Sequence, residues 1–283
     1  MQLAVDHAFH IGAQHLRQGT PNQDYALSGV LPSGLHYGIV ADGCSSGGET
    51  DIGARLMGLA LKQALAQGAQ TGLVERARAY LEGMRRALDL ERADLLATGL
   101  LALANDQQFV KMLILGDGVL VERSVYGTLY AHKFEWSDNA PGYLAYSDEE
   151  RSHFFERQPT LTREFWSISG PEQWQHHRTT EESAFVALRK GVEWTYEPPH
   201  GPWDLASIGI FSDGVLQIDG LPWQAVIWEL MRFKSARGQF VTRRMNRFLT
   251  NVREYGCGPL DDIAMAVINL TDPKPTQNGD QDE

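Results

Sequence analysis

Four aspartates stand where apolar, strand-like runs end or begin: Asp42 after Leu35 to Ala41, Asp117 after Val110 to Gly116, Asp213 after Ile208 to Ser212, and Asp261 ahead of Ile263 to Leu270. A carboxylate at a strand edge points into a loop-lined cleft rather than into a core, and several such edges can converge on one point. That placement suits hard divalent cations, which take oxygen ligands from carboxylates, carbonyls and water. Singly, an Asp-Gly pair has a plainer meaning, a turn, because Gly accepts positive φ and Asp bonds to nearby amides. The combination shifts the balance: three Asp-Gly pairs close apolar strands in the same way, and Asp261-Asp262 opens another. The chain reads as a metal-dependent enzyme.

The elements that must position these residues are legible in outline. Extended runs at Ala4 to Ala13 and Leu35 to Ala41 flank a polar segment with Pro21, Asn22, Gln23 and Asp24. From Asp51 the apolar spacing becomes helical, with Ile52, Leu56 and Ala60 on related faces and a stop at Gly68; Leu73, Ala77, Leu81, Met84 and Leu88 predict a second helix. Apolar segments at Thr98 to Ala104, Phe109 to Leu115, Val119 to Arg123 and Thr128 to Phe134 read as consecutive antiparallel hairpins, a meander. Residues 136–202 mix aromatics, prolines and charges, with strand character only at Ala184 to Leu188, and are expected to form a variable lid. A strand at Ile208 to Ser212, helices at Pro222 to Phe233 and about Gln239 to Tyr255, and a last strand at Ile263 to Leu270 complete one domain over residues 1–270; residues 271–283 lack apolar anchors and are expected to be a disordered tail.

Composition narrows the function classes. A chain of 283 residues with 43% hydrophobic and 22% charged residues can bury a sizeable core. Its formal net charge of -11 argues against nucleic acid and anionic membranes as partners, since phosphate backbones need clustered Lys and Arg. Cys44 and Cys257 form no CxxC pair, and the first residues show no basic region followed by an apolar run. A soluble cytoplasmic protein is expected.

Five segments, in order, resemble the type 2C metal-dependent protein phosphatases, in a bacterial form: Asn22-Gln23-Asp24, Val40-Ala41-Asp42-Gly43, Leu115-Gly116-Asp117-Gly118, Phe211-Ser212-Asp213-Gly214-Val215 and Asp261-Asp262-Ile263. The resemblance implies an α+β fold, a four-layer αββα sandwich of two mostly antiparallel β-sheets flanked by helices. It implies catalytic roles for Asp24, Asp42, Asp213 and Asp261, and two Mg²⁺ or Mn²⁺ ions. Asp42 would bridge them with the Gly43 carbonyl on one, Asp213 and Asp261 would hold the other, and Asp117 with Asp213 would serve a weaker third. Asp24, with Gln23, would hold metal-bound water. The implied activity is hydrolysis of phosphoserine or phosphothreonine on a protein by a metal-activated water, with a partner serine/threonine kinase or its target as the phosphoprotein partner. The alternatives are a phosphatase-fold regulatory or binding module and a small-molecule phosphoester hydrolase.

The chain departs from the family pattern at three places. Many relatives carry a phosphate-gripping arginine where this chain has Gly19; Arg17 and His15 are the nearby phosphate-binding candidates, set against a solvated Arg17 and a structurally bonded His15. Cys44 stands where some relatives have a histidine proposed as proton donor, and Asp262 where many have Asn. Asp261 is the expected ligand by its place in the motif, with Asp262 as the competing choice. The His176-His177 pair has no third ligand at recognisable spacing and reads as a surface pair.

Overall fold

A computed structural model describes residues 3–68, 72–106, 109–137, 141–183, 192–195 and 204–271. The strand expected at Ala184 to Leu188 and almost all of the expected tail lie outside the described residues. In chain order the elements are β1 (Ala4–His10), α1 (Ala13–Gln18), β2 (Asp24–Val30), β3 (His36–Asp42), α2 (Thr50–Ala66), α3 (Leu73–Ala87), β4 (Gly99–Ala104), β5 (Val110–Leu115), β6 (Gly118–Ser124), β7 (Leu129–Trp136), α4 (Asp148–Glu156), β8 (Thr160–Gly170), β9 (Gln173–Ser183), β10 (Val192–Thr195), β11 (Leu205–Phe211), α5 (Trp223–Leu230), α6 (Phe240–Glu254) and β12 (Ile263–Asn269). Short 3₁₀ turns occur at Arg92–Leu95 and Asp213–Leu216.

Runs such as β4, β11 and β12 are apolar at nearly every position because both of their faces are covered, and every residue in them is buried. Among the described residues the strands form two antiparallel sheets. One runs β1-β12-β11-β6-β7-β8-β9 and the other β10-β5-β4-β3-β2. Three apolar layers show how they stack. Val40, Leu100, Phe134, Ile210 and Ala264 fill the space between the sheets. Ile39, Leu101, Met57, Leu61 and Leu81 pack α2 and α3 on the outer face of the smaller sheet. Val121, Met265, Ile227, Leu230 and Phe248 pack α5 and α6 on the outer face of the larger. This is the α+β, four-layer αββα arrangement expected above.

The amphipathic stripe of α6, Phe240, Val241, Met245, Phe248, Leu249 and Val252, sets which face it buries. Its start is fixed from another element: Asp6 of β1 accepts hydrogen bonds from the Val241 and Thr242 amides at 2.7 and 3.2 Å, placing a carboxylate on the helix N-terminus. Ser147 and Glu150 form a reciprocal capping box on α4.

Three features differ from the sequence expectation. The first run ends at His10 rather than Ala13, where the short α1 begins. The expected meander is split: β4 and β5 pair in one sheet, β6 and β7 in the other, and the chain changes sheets at Asp117. Gly116 and Gly118, at φ of 120° and 129°, supply the backbone angles that crossing needs. The stretch expected to be irregular holds the long β8–β9 hairpin, paired from Thr160↔Ser183 to Gly170↔Gln173 with register shifts at Phe165/Trp166 and Ile168/Gly170. Most of β8 is half-buried, with adjacent Arg163 and Glu164 and adjacent Phe165 and Trp166 on opposite faces, so no alternating pattern marks it in the sequence.

Candidate metal centre

Antiparallel pairing brings the motif residues to one end of the sandwich. Asp24 opens β2 directly opposite Asp42, which closes β3. Asp117 lies between the end of β5 and the start of β6, Asp213 follows β11 at the level of that start, and Asp261 precedes β12. The Asp42 carbonyl accepts the Thr98 amide at 2.8 Å, which holds the end of β3 against the entry to β4.

The carboxyls of Asp24 and Asp213 both lie within hydrogen-bonding reach of Asp42. Burial drives Asp24 and Asp42 well above the ordinary carboxylate range, and the negative neighbours Asp213 and, for Asp42, Asp24 push them further. Asp213 is raised by burial, against the hydrogen bond from Asp42, which favours its charged form. Asp117 is pushed up to about 8, first by burial and then by Asp213. The charges acting most strongly on all four are other carboxylates, Glu135 and Asp261 among them. Two carboxylates share a hydrogen bond only when a proton sits between them. Such crowding favours either a proton or a cation among the carboxylates, and this oxygen-only donor set fits Mg²⁺ or Mn²⁺.

That arrangement has a stability signature. Between the ordinary carboxylate range and about pH 8 the folded chain retains a proton at Asp117 that the unfolded chain has released. The unfolded state then binds fewer protons, so metal-free stability falls as pH rises through that window. Thermal unfolding in chelator should show Tm decreasing from pH 5 to pH 8, with Mg²⁺ or Mn²⁺ recovering more at pH 8 than at pH 5. At 100 times Kd the gain is about 2.7 kcal/mol, or about 5 to 10 °C for a chain of this size. A metal-free Tm that climbs over the same range would contradict this electrostatic picture.

At the last motif the two adjacent aspartates behave differently. Asp262 is buried, and its oxygens accept the Gly12 amide at 2.7 Å, the Gln23 amide at 2.6 Å and His15 Nδ1 at 2.7 Å. Asp261 is partly exposed; it accepts the Asp262 amide at 2.8 Å and, at a long 3.4 Å, Gln217 Nε2. His15, Asp261 and Asp262 form a compact acidic and histidine cluster that could hold a metal, with potential ligand atoms all within 4.8 Å. Compactness is a weaker guide than open lone pairs, however. Asp262 already serves three donors, so a cation there would displace structural hydrogen bonds, whereas Asp42, Asp117, Asp213 and Asp261 keep oxygens available.

The other sequence candidates are placed as follows. His15 is buried with its ring on Asp262, and Arg17 is exposed on α1. The Gly43 amide donates to the Gln23 carbonyl at 3.0 Å. A Cβ on Gly43 would sit 2.5 Å from the Thr50 carbonyl oxygen, so this close approach excludes a side chain. Gln23 is buried with its Nε2 donating to Thr50 Oγ1 at 2.7 Å. Asp24 accepts Ser212 Oγ at 2.6 Å, while that hydroxyl accepts the Ala264 amide at 2.8 Å. His176 and His177 bond to different partners, Thr179 and Ser167, on the exposed strand β9. Two residues near the carboxylates went unnoticed in the sequence: Glu135, whose charge acts on Asp117 and Asp213, and Tyr143, on which Asp42 and Asp117 act. Neither lies in a recognisable motif.

Among solved structures the chain is similar to the PP2C phosphatase domain of the cell fate determinant SpoIIE from Bacillus subtilis, at 12% identity and a TM-score of 0.54, covering 97% of this chain and 63% of that one. It is also similar to the serine/threonine phosphatase of S. agalactiae, at 13% identity and a TM-score of 0.51, covering 95% and 100%. A third similar structure is a bacterial serine phosphatase variant, at 9% identity and a TM-score of 0.56, covering 96% and 100%. At these identities the likeness establishes the fold alone. No match is found among curated proteins. A family model described as protein phosphatase 2C matches residues 11–250. With that match spanning both sheets and every carboxylate segment but the last, the chain belongs to the protein phosphatase 2C family.

Proposed function

We propose that this protein is a metal-dependent phosphoric monoester hydrolase that removes phosphate from serine or threonine of a partner protein, reversing a serine/threonine kinase. The observation that carries the reading is the group of buried and half-buried carboxylates at one end of the sandwich whose strongest charged neighbours are other carboxylates. In this reading Asp42, Gly43, Asp213 and Asp261 hold two Mg²⁺ or Mn²⁺ ions, and Asp117 with Asp213 serves a third. Bound ions of this kind lower the pKa of a bound water and neutralise charge in an in-line displacement at phosphorus. The chain's own contribution is geometric. Ser212 fixes the Asp24 carboxyl, Gln23 ties that strand to Thr50, and Asp262 fastens Gly12, His15 and Gln23 beneath the site.

Regulatory signalling is the setting this reading favours, in keeping with the similar domain from a cell fate determinant. No helix among the described residues is long and apolar enough to cross a membrane. The test is hydrolysis of p-nitrophenyl phosphate and of a phosphothreonine peptide by the purified chain with Mn²⁺, with Mg²⁺ and with chelator. Turnover of both substrates that chelator abolishes is expected. Turnover of sugar or nucleotide phosphates but not the peptide would replace the protein substrate with a small molecule. Metal binding without any turnover would favour a regulatory module, the alternative consistent with Gly19, the exposed Arg17 and the tethered His15.

A further inference from the structure

The chain is acidic overall, yet from Arg232 to Arg247 six positions are Arg or Lys and none is Asp or Glu. These residues span the turn between α5 and α6 and the first half of α6. The apolar stripe of α6 is buried on the larger sheet, which turns the basic side chains outward: Arg232, Lys234, Arg237, Arg243 and Arg247 are exposed, and Arg244 is half-buried. The side chains form one cluster. Arg232 and Arg244 share the carboxylate of Glu229, Arg232 at 3.5 Å. Arg243 donates from Nη2 to the Arg237 carbonyl at 2.7 Å, and Arg247 stands one helical turn beyond Arg243 on the same side of α6. Among the described residues Glu229 is the one carboxylate ion-paired with the six.

This arrangement works against the stability of α6. Like charges one turn apart on a helix repel. The partial positive charge of a helix N-terminus also disfavours cations in its first turn, where α6 has Arg243 and no acidic residue of its own. An anionic partner relieves both effects. Five of the six residues are arginine, whose planar fork binds a carboxylate through two hydrogen bonds. The surroundings select the kind of anion. Exposed charges are screened beyond about 8 Å at physiological salt, so the patch attracts only what lies directly on it. Duplex nucleic acid or an anionic bilayer would extend past it over a chain of formal net charge -11. A bilayer also needs an apolar anchor, and here Phe233, Ala236 and Phe240 are buried. A short run of Asp and Glu covers the cations and reaches no further.

We propose that the turn from α5 to α6 and the outer face of α6 form a docking surface for an acidic segment of a partner protein, whose carboxylates pair with Arg232, Lys234, Arg237, Arg243 and Arg247. The surface belongs to the outer helical layer of the larger sheet. Its helix starts against Asp6, which pairs with Val267, four residues along β12 from Ile263 at the carboxylate end. Docking surface and carboxylate site are therefore distinct places, and the inference does not rest on the phosphatase reading.

The test is fluorescence anisotropy of a labelled oligoglutamate peptide with the full chain as wild type, as Arg243→Glu with Arg247→Glu, and as Lys62→Glu with Arg86→Glu. The last pair makes the same change in net charge at exposed positions on α2 and α3. The peptide should bind the wild type, less tightly as salt is raised to about 0.15 M. At that salt the α6 variant should bind about 10-fold or more weakly, and the α2–α3 variant within about 2-fold of wild type. Because the α6 arginines stabilise nothing within the chain, Tm of the α6 variant should stay within about 2 °C of wild type. An absence of peptide binding overturns the inference, and so does an equal loss in the α2–α3 variant, which would make net charge the cause. A larger fall in Tm would make the arginines structural and overturn it too. Tighter binding of phosphatidylserine vesicles or duplex DNA than of the peptide, lost in the α6 variant, would give the patch to a lipid surface or a nucleic acid instead.

Discussion

The substitution Asp42→Asn should abolish metal-dependent phosphatase turnover while making the metal-free protein more stable. In the proposed site Asp42 is the bridging ligand, and an amide there neither balances the charge of two ions nor bridges them as a carboxylate does. Losing several kcal/mol of transition-state charge stabilisation, about 4 kcal/mol, lowers kcat on the order of 10³-fold. Stability moves the other way because buried Asp24 and half-buried Asp42 and Asp213 are crowded together, with Asp42 between the other two. The amide replaces a carboxylate that must otherwise be protonated or repelled, and its NH₂ can donate to either neighbour. A gain of about 1 kcal/mol, or about 2 to 4 °C in chelator at pH 8, is expected. Activity and metal-free Tm measured on the same preparation decide the matter. A variant that loses activity and also unfolds more readily would mean that Asp42 is a structural residue, and the metal reading would lose its main support.

Much of the site was legible in the sequence because each motif aspartate sits beside an apolar run that can only be a buried strand. Asp42, Asp117, Asp213 and Asp261 are therefore placed at strand edges by the hydrophobic pattern, and antiparallel pairing carries those edges to one end of the molecule. Pairing across sheets was not legible. Phe109 to Leu115 and Val119 to Arg123 look like two arms of a hairpin, and only the positive φ angles of Gly116 and Gly118 reveal a crossing between layers. The stretch ahead of α4 escaped notice for another reason. Residues 141–146 have no periodicity of 2 or 3.6, and their position is set by Arg78, Arg92 and Arg151 at distances along the chain that no local pattern encodes. In the same way, Arg17 and His15 drew attention by their nearness to Gly19, but nearness in sequence did not indicate that the His15 ring is held by a residue 247 positions away.

That distant residue, Asp262, supports the second large effect. The motif offers two neighbouring carboxylates, and the structure gives them opposite demands. Asp262→Ala would leave the Gly12 and Gln23 amides and the His15 ring without their buried acceptor. Each buried donor left unpaired costs about 1 to 3 kcal/mol, partly relieved by rearrangement, and deleting one partner of a buried polar network typically costs about 3 to 5 kcal/mol in all. A fall in Tm on the order of 10 °C follows, present with or without metal. Asp261→Ala removes a partly exposed group that accepts one short bond from the adjacent amide and one long bond from Gln217. It should leave metal-free Tm within about 2 °C of wild type, yet reduce the stabilisation gained from Mn²⁺ and lower turnover. Thermal unfolding of both variants, in chelator and with Mn²⁺, separates fastener from ligand. If Asp262→Ala kept its metal-free Tm but lost its Mn²⁺ response while Asp261→Ala responded normally, the roles would be exchanged, and the cation would sit in the His15, Asp261 and Asp262 cluster after all.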